Sequence, residues 1–208
     1  MRLDKYICEC TQLTRSIATQ ALRNKYVAVN GVVVKSGSTK IVVGKDLVTL
    51  EDQPLVLHEG FRYYMMHKPP GMVCANTDFD HPIIFDIMHD EPAINKLHTV
   101  GRLDLDTTGL LLITDDGKWS HFITSPKHHK PKTYRAWLAE DLIETAEKQF
   151  AEGIMLRGEK DLTQPANLER ISNTEVLVTL NEGKYHQVKR MFAALGNHVE
   201  GLHREKIG

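Results

Sequence analysis

The densest group of chemically capable residues in this 208-residue chain is Val100-Gly-Arg-Leu-Asp-Leu-Asp-Thr-Thr-Gly-Leu-Leu-Leu112. Gly101 and Gly109 bracket a polar stretch that carries Arg102, Asp104, Asp106, Thr107 and Thr108. An apolar run follows at once. A carboxylate at the mouth of a buried strand, beside an arginine and between glycines that admit close backbone approach, suits a nucleophile or a general base. The same pattern also describes an Asp/Thr-rich turn capped by its own side chains. Asp104 and Asp106 lie two apart, so in a strand they would share a face, and a hydrolase using them as a carboxylate pair is a geometric alternative.

Two further segments point to a polyanion. Residues 117–139 contain Lys118, Lys127, Lys130, Lys132 and Arg135, with His121, His128 and His129, and no acid. Within that segment Tyr134 follows Lys132 at an expected strand start, where an aromatic ring can stack on an unpaired base. Glu182-Gly-Lys-Tyr-His-Gln-Val-Lys-Arg-Met191 sets Lys184, His186, Gln187, Lys189 and Arg190 at a strand-to-helix junction. Helix N-terminal amides favour anions there, and a basic residue one turn into the helix can hold a carboxylate ionised. Val188, Met191 and Phe192 would face a core.

The elements that position these groups follow from periodicity. Leu3, Tyr6, Ile7 and Cys10 form a helical stripe, and Thr14 is an N-cap for a second helix through Ile17, Ala21 and Leu22. Valines alternate into and out of Asn30-Gly31, a hairpin signal. Short strands are expected at 41–43 and 47–50, and residues 51–60, broken by Pro54 and Gly60, read as a linker. A second domain then needs strands at 61–66, 72–75, 108–114, 133–138 and 175–180, a turn at 68–71, and helices at 142–150 and 185–195. Without regular βαβ spacing, the expected class is α+β around a largely antiparallel mixed sheet flanked by helices.

Composition sets the outer limits. The net charge of −1 conceals segregation: residues 1–45 hold eight basic residues against two acids, a net +6, which leaves −7 for the remainder. Two basic surfaces on an otherwise acidic chain fit a polyanion held at two places. The charged start and the lack of a run of about 20 apolar residues imply an unexported, cytoplasmic protein with no membrane partner. Cys8, Cys10 and Cys74 are expected to be free thiols. Eleven histidines include His81, His89, His98 and the pair His128-His129, yet none stands at metal-ligand spacing, so no metal is expected.

Gly101-Arg-Leu-Asp104 with Thr107-Thr-Gly-Leu-Leu111, then Lys132-Thr-Tyr134, then Glu182-Gly-Lys-Tyr-His-Gln-Val-Lys-Arg-Met191 resemble, in order and spacing, the motifs of the RsuA-type pseudouridine synthases. Met1-Arg-Leu-Asp-Lys-Tyr6 through Val27-Ala-Val-Asn-Gly31 resembles the small α-L RNA-binding domain that precedes the catalytic domain in that family. The resemblance implies an α-L domain at 1–58 and a catalytic domain at 59–208. It implies site-specific isomerisation of uridine in small-subunit (16S) ribosomal RNA, as free RNA or in an assembling particle, and nothing in the sequence pattern asks for more than a monomer. Asp104 would be the catalytic aspartate, Tyr134 would stack on the target uracil, and Lys189 would pair with Asp104. Arg102 would help hold the nucleotide extruded from its helix, with Arg15, Arg23, Lys25, Lys132, Lys184, Gln187 and Arg190 as further RNA contacts. An isomerisation demands no redox cofactor, nucleotide or metal. Asn24-Lys25-Tyr26 stands where the family commonly has a glycine, and family members continue into another strand and a tail beyond the position of Gly208, so Gly208 is expected to be either a truncation point or the end of the ordered part of a longer chain. The alternative outside catalysis is a ribosomal RNA-binding or assembly protein, which the basic first segment alone would support.

Overall fold

A computed structural model describes residues 1–57, 60–128 and 130–208, which divide into two compact units. Residues 1–62 with 85–97 form the first, and 63–84 with 98–208 the second. The expected boundary between residues 58 and 59 lies outside the described residues, as does His129.

In the first unit, α1 (Leu3–Cys10) buries its stripe of Leu3, Tyr6, Ile7 and Cys10. Thr14 opens α2 (Arg15–Arg23) by accepting from the Ile17 amide at 3.4 Å. The buried face of α2 is Ala18, Ala21 and Leu22, whereas Ile17, expected on it, is exposed. The hairpin β1 (Val27–Val29) and β2 (Val32–Val33) turns through Asn30 and Gly31 at φ of 51° and 78°. Asn30 also locks the loop behind it, accepting from the Leu47 amide and donating to Asp46, each at 2.9 Å. Residues 41–43 form no strand: the Ile41 amide is taken by the Met1 carbonyl and Val42 starts a turn closed by Lys45 and Asp46. The expected linker begins as a second hairpin, in which Glu51 and Asp52 take positive φ and join β3 (Val48–Leu50) to β4 (Gln53–Pro54). Leu55 and Leu57 then pack on the same core.

The second unit is built on β5 (Tyr63–Lys68), β6 (His98–Thr99), β7 (Thr108–Thr114), β8 (Lys132–Leu138), β9 (Asn167–Arg170), β10 (Glu175–Leu180) and β11 (Val199–Ile207). Their order is β5-β7-β11-β8-β10-β9, with β6 against β7, and every pairing is antiparallel except β7 with β11. The helices are α3 (Gly117–Thr124), α4 (Ala146–Glu152) and α5 (Gln187–Ala194). This is the expected α+β class. Residues 72–75 make only a single bridge, Val73 to Ile83, instead of a strand. α4 starts at Ala146, later than residue 142, because the Leu142 amide is bound to the Asn173 carbonyl.

Alternation decides which side chains reach the site. On β10, Val176, Val178 and Leu180 are buried, and opposite them on β8 stand Ala136, Tyr134 and Lys132. On β11, Leu202 and Arg204 face Ala136 and Tyr134. Directly opposed residues share a face, so one sheet face runs from an apolar region covered by Phe150 of α4 and Val188, Met191 and Phe192 of α5 to a polar end of Lys132, Tyr134 and Arg204.

The parallel pair depends on Gly109. At φ +103°, a Cβ there would stand 2.3 Å from the Arg204 carbonyl oxygen and 2.7 Å from its amide nitrogen. Gly158, in the same unit at φ +84°, has open space around it. Gly158→Ala is therefore expected to cost about 1 kcal/mol of backbone strain, and Gly109→Ala about 3 kcal/mol or more because strain and collision add. Urea unfolding of the two variants checks this; equal midpoints would contradict the close crossing.

Candidate active site

A cavity of about 610 Å³ in the second unit opens where that sheet face runs out. Its wall includes Arg102, Asp104, Tyr134, Lys132, His186 and Arg204. Gly101, at φ +76°, turns the chain into the loop that carries Asp104, and the Thr107 amide closes a turn on the Asp104 carbonyl at 3.2 Å. Beneath the loop lies Lys68, the last residue of β5 and fully buried. Its ammonium donates to the carbonyls of Pro69 at 3.0 Å, Leu105 at 3.2 Å and Thr107 at 2.9 Å. Burial pushes the Lys68 pKa down, while Cys74, Asp106 and Asp104 oppose that shift. The Gly71 amide adds a bond to the Leu105 carbonyl, and the Leu103 amide one to Cys74 Sγ. The backbone on both sides of Asp104 is thus fixed from the end of β5. Sequence reading saw in Lys68 only the start of a turn; its signal was a lysine at a buried register of a strand, just before Pro-Pro-Gly.

α5 supplies the opposite wall. His186, just before it, takes the left-handed conformation at φ 46° and ψ 37°, so regular helix starts at Gln187 and not at residue 185. That conformation is uncommon outside glycine. His186 Nε2 lies 3.3 Å from Asp104 Oδ1, and the Tyr185 ring stacks on its imidazole with centroids 3.8 Å apart. Lys189, within the first turn, lies 3.9 Å from Asp104 Oδ2 but bonds both oxygens of Asp106 at 2.6 and 2.7 Å. The cation expected opposite Asp104 is therefore mainly engaged by its neighbour, and the imidazole of His186 is the nearer group. The Lys189 hydrogen bond holds the Asp106 carboxyl below its ordinary pKa against a smaller opposing effect of burial.

The other expected residues separate into distinct environments. Arg102 is exposed at the cavity rim. Lys132 is half-buried, donates to the Lys130 carbonyl at 3.0 Å, and has its pKa lowered by burial and then by Arg204. Lys184 and Arg190 share Glu159, at 2.9 and 3.1 Å. Gln187 is buried and braces the loop, donating to Glu182 at 2.7 Å and accepting from the Lys184 amide at 2.8 Å. Arg135, counted with the basic stretch, points to the other sheet face and is neutralised by Glu175 and Glu205. Arg15, Arg23 and Lys25 are exposed on the first unit, at the two ends of α2 and just past it. Among the described residues, no group of three or more His, Cys, Asp or Glu is arranged to hold a metal ion, and no helix is long and apolar enough to cross a membrane.

Residues 62–194 match the model of the RNA pseudouridylate synthase family, and residues 1–47 match that of the S4 domain. The chain belongs to the RNA pseudouridylate synthase family. Within it, the chain is 55% identical to the ribosomal small subunit pseudouridine synthase A of Haemophilus influenzae and 56% to that of Vibrio cholerae. The Escherichia coli K12 protein of the same name is 50% identical, and each alignment spans all of this chain and 89% of the relative. A solved structure described as a pseudouridylate synthase, 54% identical, superposes with a TM-score of 0.69 over the whole chain and 89% of its own. A pseudouridylate synthase is an isomerase acting on RNA, so Asp104 and Asp106 are not the carboxylate pair of a hydrolase; Asp106 is instead the ion-pair partner of Lys189.

Because the folded Asp106 carboxyl lies below its unfolded value of about 3.9, it contributes stability that is complete above about pH 4 and lost as pH falls through the folded value. Asp106→Asn has no such loss. Urea midpoints between pH 5 and pH 2.5 are expected to fall more steeply for the native chain than for the variant, and parallel curves would contradict the pair.

Proposed function

We propose that this chain converts one class of uridine to pseudouridine in small-subunit ribosomal RNA, in the cytoplasm, with Asp104 as the catalytic carboxylate. The observation that carries the reading is the meeting of Asp104, on its fixed loop, with Tyr134, on β8, in one cavity of about 610 Å³. That volume suits a single nucleotide, and the names of the relatives supply the substrate class. The uridine must lose its N-glycosidic bond, turn its base and rejoin the sugar through carbon 5, so it has to leave the helix and be held while the base rotates. Tyr134 is the stacking surface for the extruded base, and Arg102 at the rim holds the backbone that carries it. The His186 imidazole at 3.3 Å and the Lys189 ammonium at 3.9 Å position the Asp104 carboxyl for each route open to it: attack on the base, attack on the sugar, or removal of a sugar proton. Arg15, Arg23 and Lys25 give the S4 domain its grip on RNA phosphates, and Lys132, Lys184 and Arg190 extend the contact near the cavity.

Two experiments test this. Small-subunit ribosomal RNA transcribed in vitro, incubated with enzyme and digested to nucleosides, is expected to gain pseudouridine at unchanged RNA mass. Asp104→Asn should lower the rate at least about a thousandfold. Shortened RNA or released base would instead indicate hydrolysis, and full binding without conversion by the native chain would indicate a non-catalytic RNA-binding protein. Neutralising Arg15, Arg23 and Lys25 together is expected to weaken RNA binding and to flatten its dependence on salt by about three phosphate contacts. Equal affinities across a salt series would remove the S4 domain from the phosphate contacts.

A further inference from the structure

Arg204 lies in the wall of the cavity but has been given no role, and it is the largest of the fully buried side chains among the described residues, 2% exposed. Its Nε donates to the Leu110 carbonyl at 2.7 Å, while its buried Nη2 has no acceptor among the described residues. No carboxylate there pairs with it. Among the described residues the neighbouring cation, Lys132, is likewise answered only by a backbone carbonyl. A buried, unanswered donor is destabilising, and a buried guanidinium without a counter-charge more so. The position is also rigid: the Arg204 backbone is clasped against Gly109 on one side and paired with Tyr134 on the other.

Arg204 and Tyr134 stand directly opposed on one sheet face and line the same cavity, so a base stacked on Tyr134 has the guanidinium on the neighbouring strand. A phosphodiester carries chain on both sides and stays outside such a recess, whereas an exocyclic carbonyl is a terminal group that can enter it. On the proposed reaction, the C1′–N1 bond breaks with its electron pair passing to N1, and the resulting negative charge spreads over O2 and O4 of the base. The ring then turns, C5 bonds to the electron-poor C1′, the proton on C5 leaves to solvent and N1 takes one up, so that the product is an isomer of the substrate. From these observations we infer that Arg204 is a catalytic residue that donates to a uracil carbonyl and stabilises the detached uracil anion while it rotates. Its Nε–H is already held by the Leu110 carbonyl, so the guanidinium is oriented before charge develops on the base.

This inference rests on the uridine isomerisation proposed above, and one experiment separates the two. Tritium release from carbon 5 of the target uridine is followed under single-turnover conditions with saturating enzyme, alongside RNA affinity and thermal melting. Arg204→Met is expected to slow release by about a hundredfold to a thousandfold, with RNA affinity within about threefold of the native chain and melting intact. Arg204→Gln should match it, and Arg204→Lys, which keeps the charge but not the fork, should retain more activity than either. If Arg204→Met does not fold, Arg204→Gln carries the comparison. A folded neutral variant within about threefold of the native rate overturns the inference, as does a rate loss that follows lost affinity. Failure of every substitution to fold assigns Arg204 a structural role and also overturns it. If the native chain itself releases no tritium, the proposed isomerisation fails before Arg204 is in question.

Discussion

The parallel crossing of β7 and β11 at Gly109 is the contact on which the site depends. It joins the part of the sheet that carries the Asp104 loop, through β5, β6 and β7, to the part that carries Tyr134, Lys132 and α5, through β8, β10 and β11. Only a residue without a Cβ lets the two backbones meet there, with Arg204 as the other half of the contact. From this crossing the geometry propagates in both directions. β7 begins one residue after the turn that Asp104 starts, and Lys68 at the end of β5 anchors that turn from below. β11 passes the register on to β8, which sets Tyr134 beside Arg204 where the apolar face ends.

Electrostatics follow from how the carboxylates are distributed. The chain is slightly acidic overall, yet several of its acids are taken up in ion pairs. Glu159 takes Lys184 and Arg190, Glu175 and Glu205 take Arg135, and Asp106 takes Lys189. Lys132 and Arg204 are left facing the cavity with backbone acceptors only, among the described residues. Basic side chains, Arg102, Lys132 and Arg204 among them, thus share the cavity wall with Asp78, Asp104 and Glu182, an arrangement that suits an anionic polymer. Net charge alone would have given the opposite impression.

Much of this was legible in the sequence, for physical reasons that differ between elements. The helix of Leu3 to Cys10, the Asn30-Gly31 hairpin, and the strands at Thr108–Thr114 and Glu175–Leu180 have patterns that local sterics and burial determine almost alone. The motif residues stood out because their types and spacing are tied to chemistry, and they fall within residues 62–194, which match the family model. β11 was not legible. Its buried positions are Val199, Leu202 and Arg204, with irregular pairing between Val199 and Gly201 and between Arg204 and Lys206, so neither apolar alternation nor an even period marks it. Lys68 and Arg204 escaped notice for a related reason: a lysine or arginine reads as surface, and only tertiary context turns it inward. His186 stood in plain view within a motif, but nothing in a histidine followed by Gln-Val signals the left-handed backbone that brings it to Asp104.

The central claim is that one uridine leaves its RNA helix and enters this cavity over Asp104. The most direct measurement is a crystal structure of Asp104→Asn, which can bind without turnover, in complex with a small-subunit ribosomal RNA fragment containing the modified site. The account predicts a uridine flipped out of the RNA, its ring against Tyr134 and its C1′–N1 bond within about 3.5 Å of the residue 104 side chain. A complex in which every uridine stays stacked in the RNA, with the cavity empty and the RNA seated elsewhere on the protein, would contradict it.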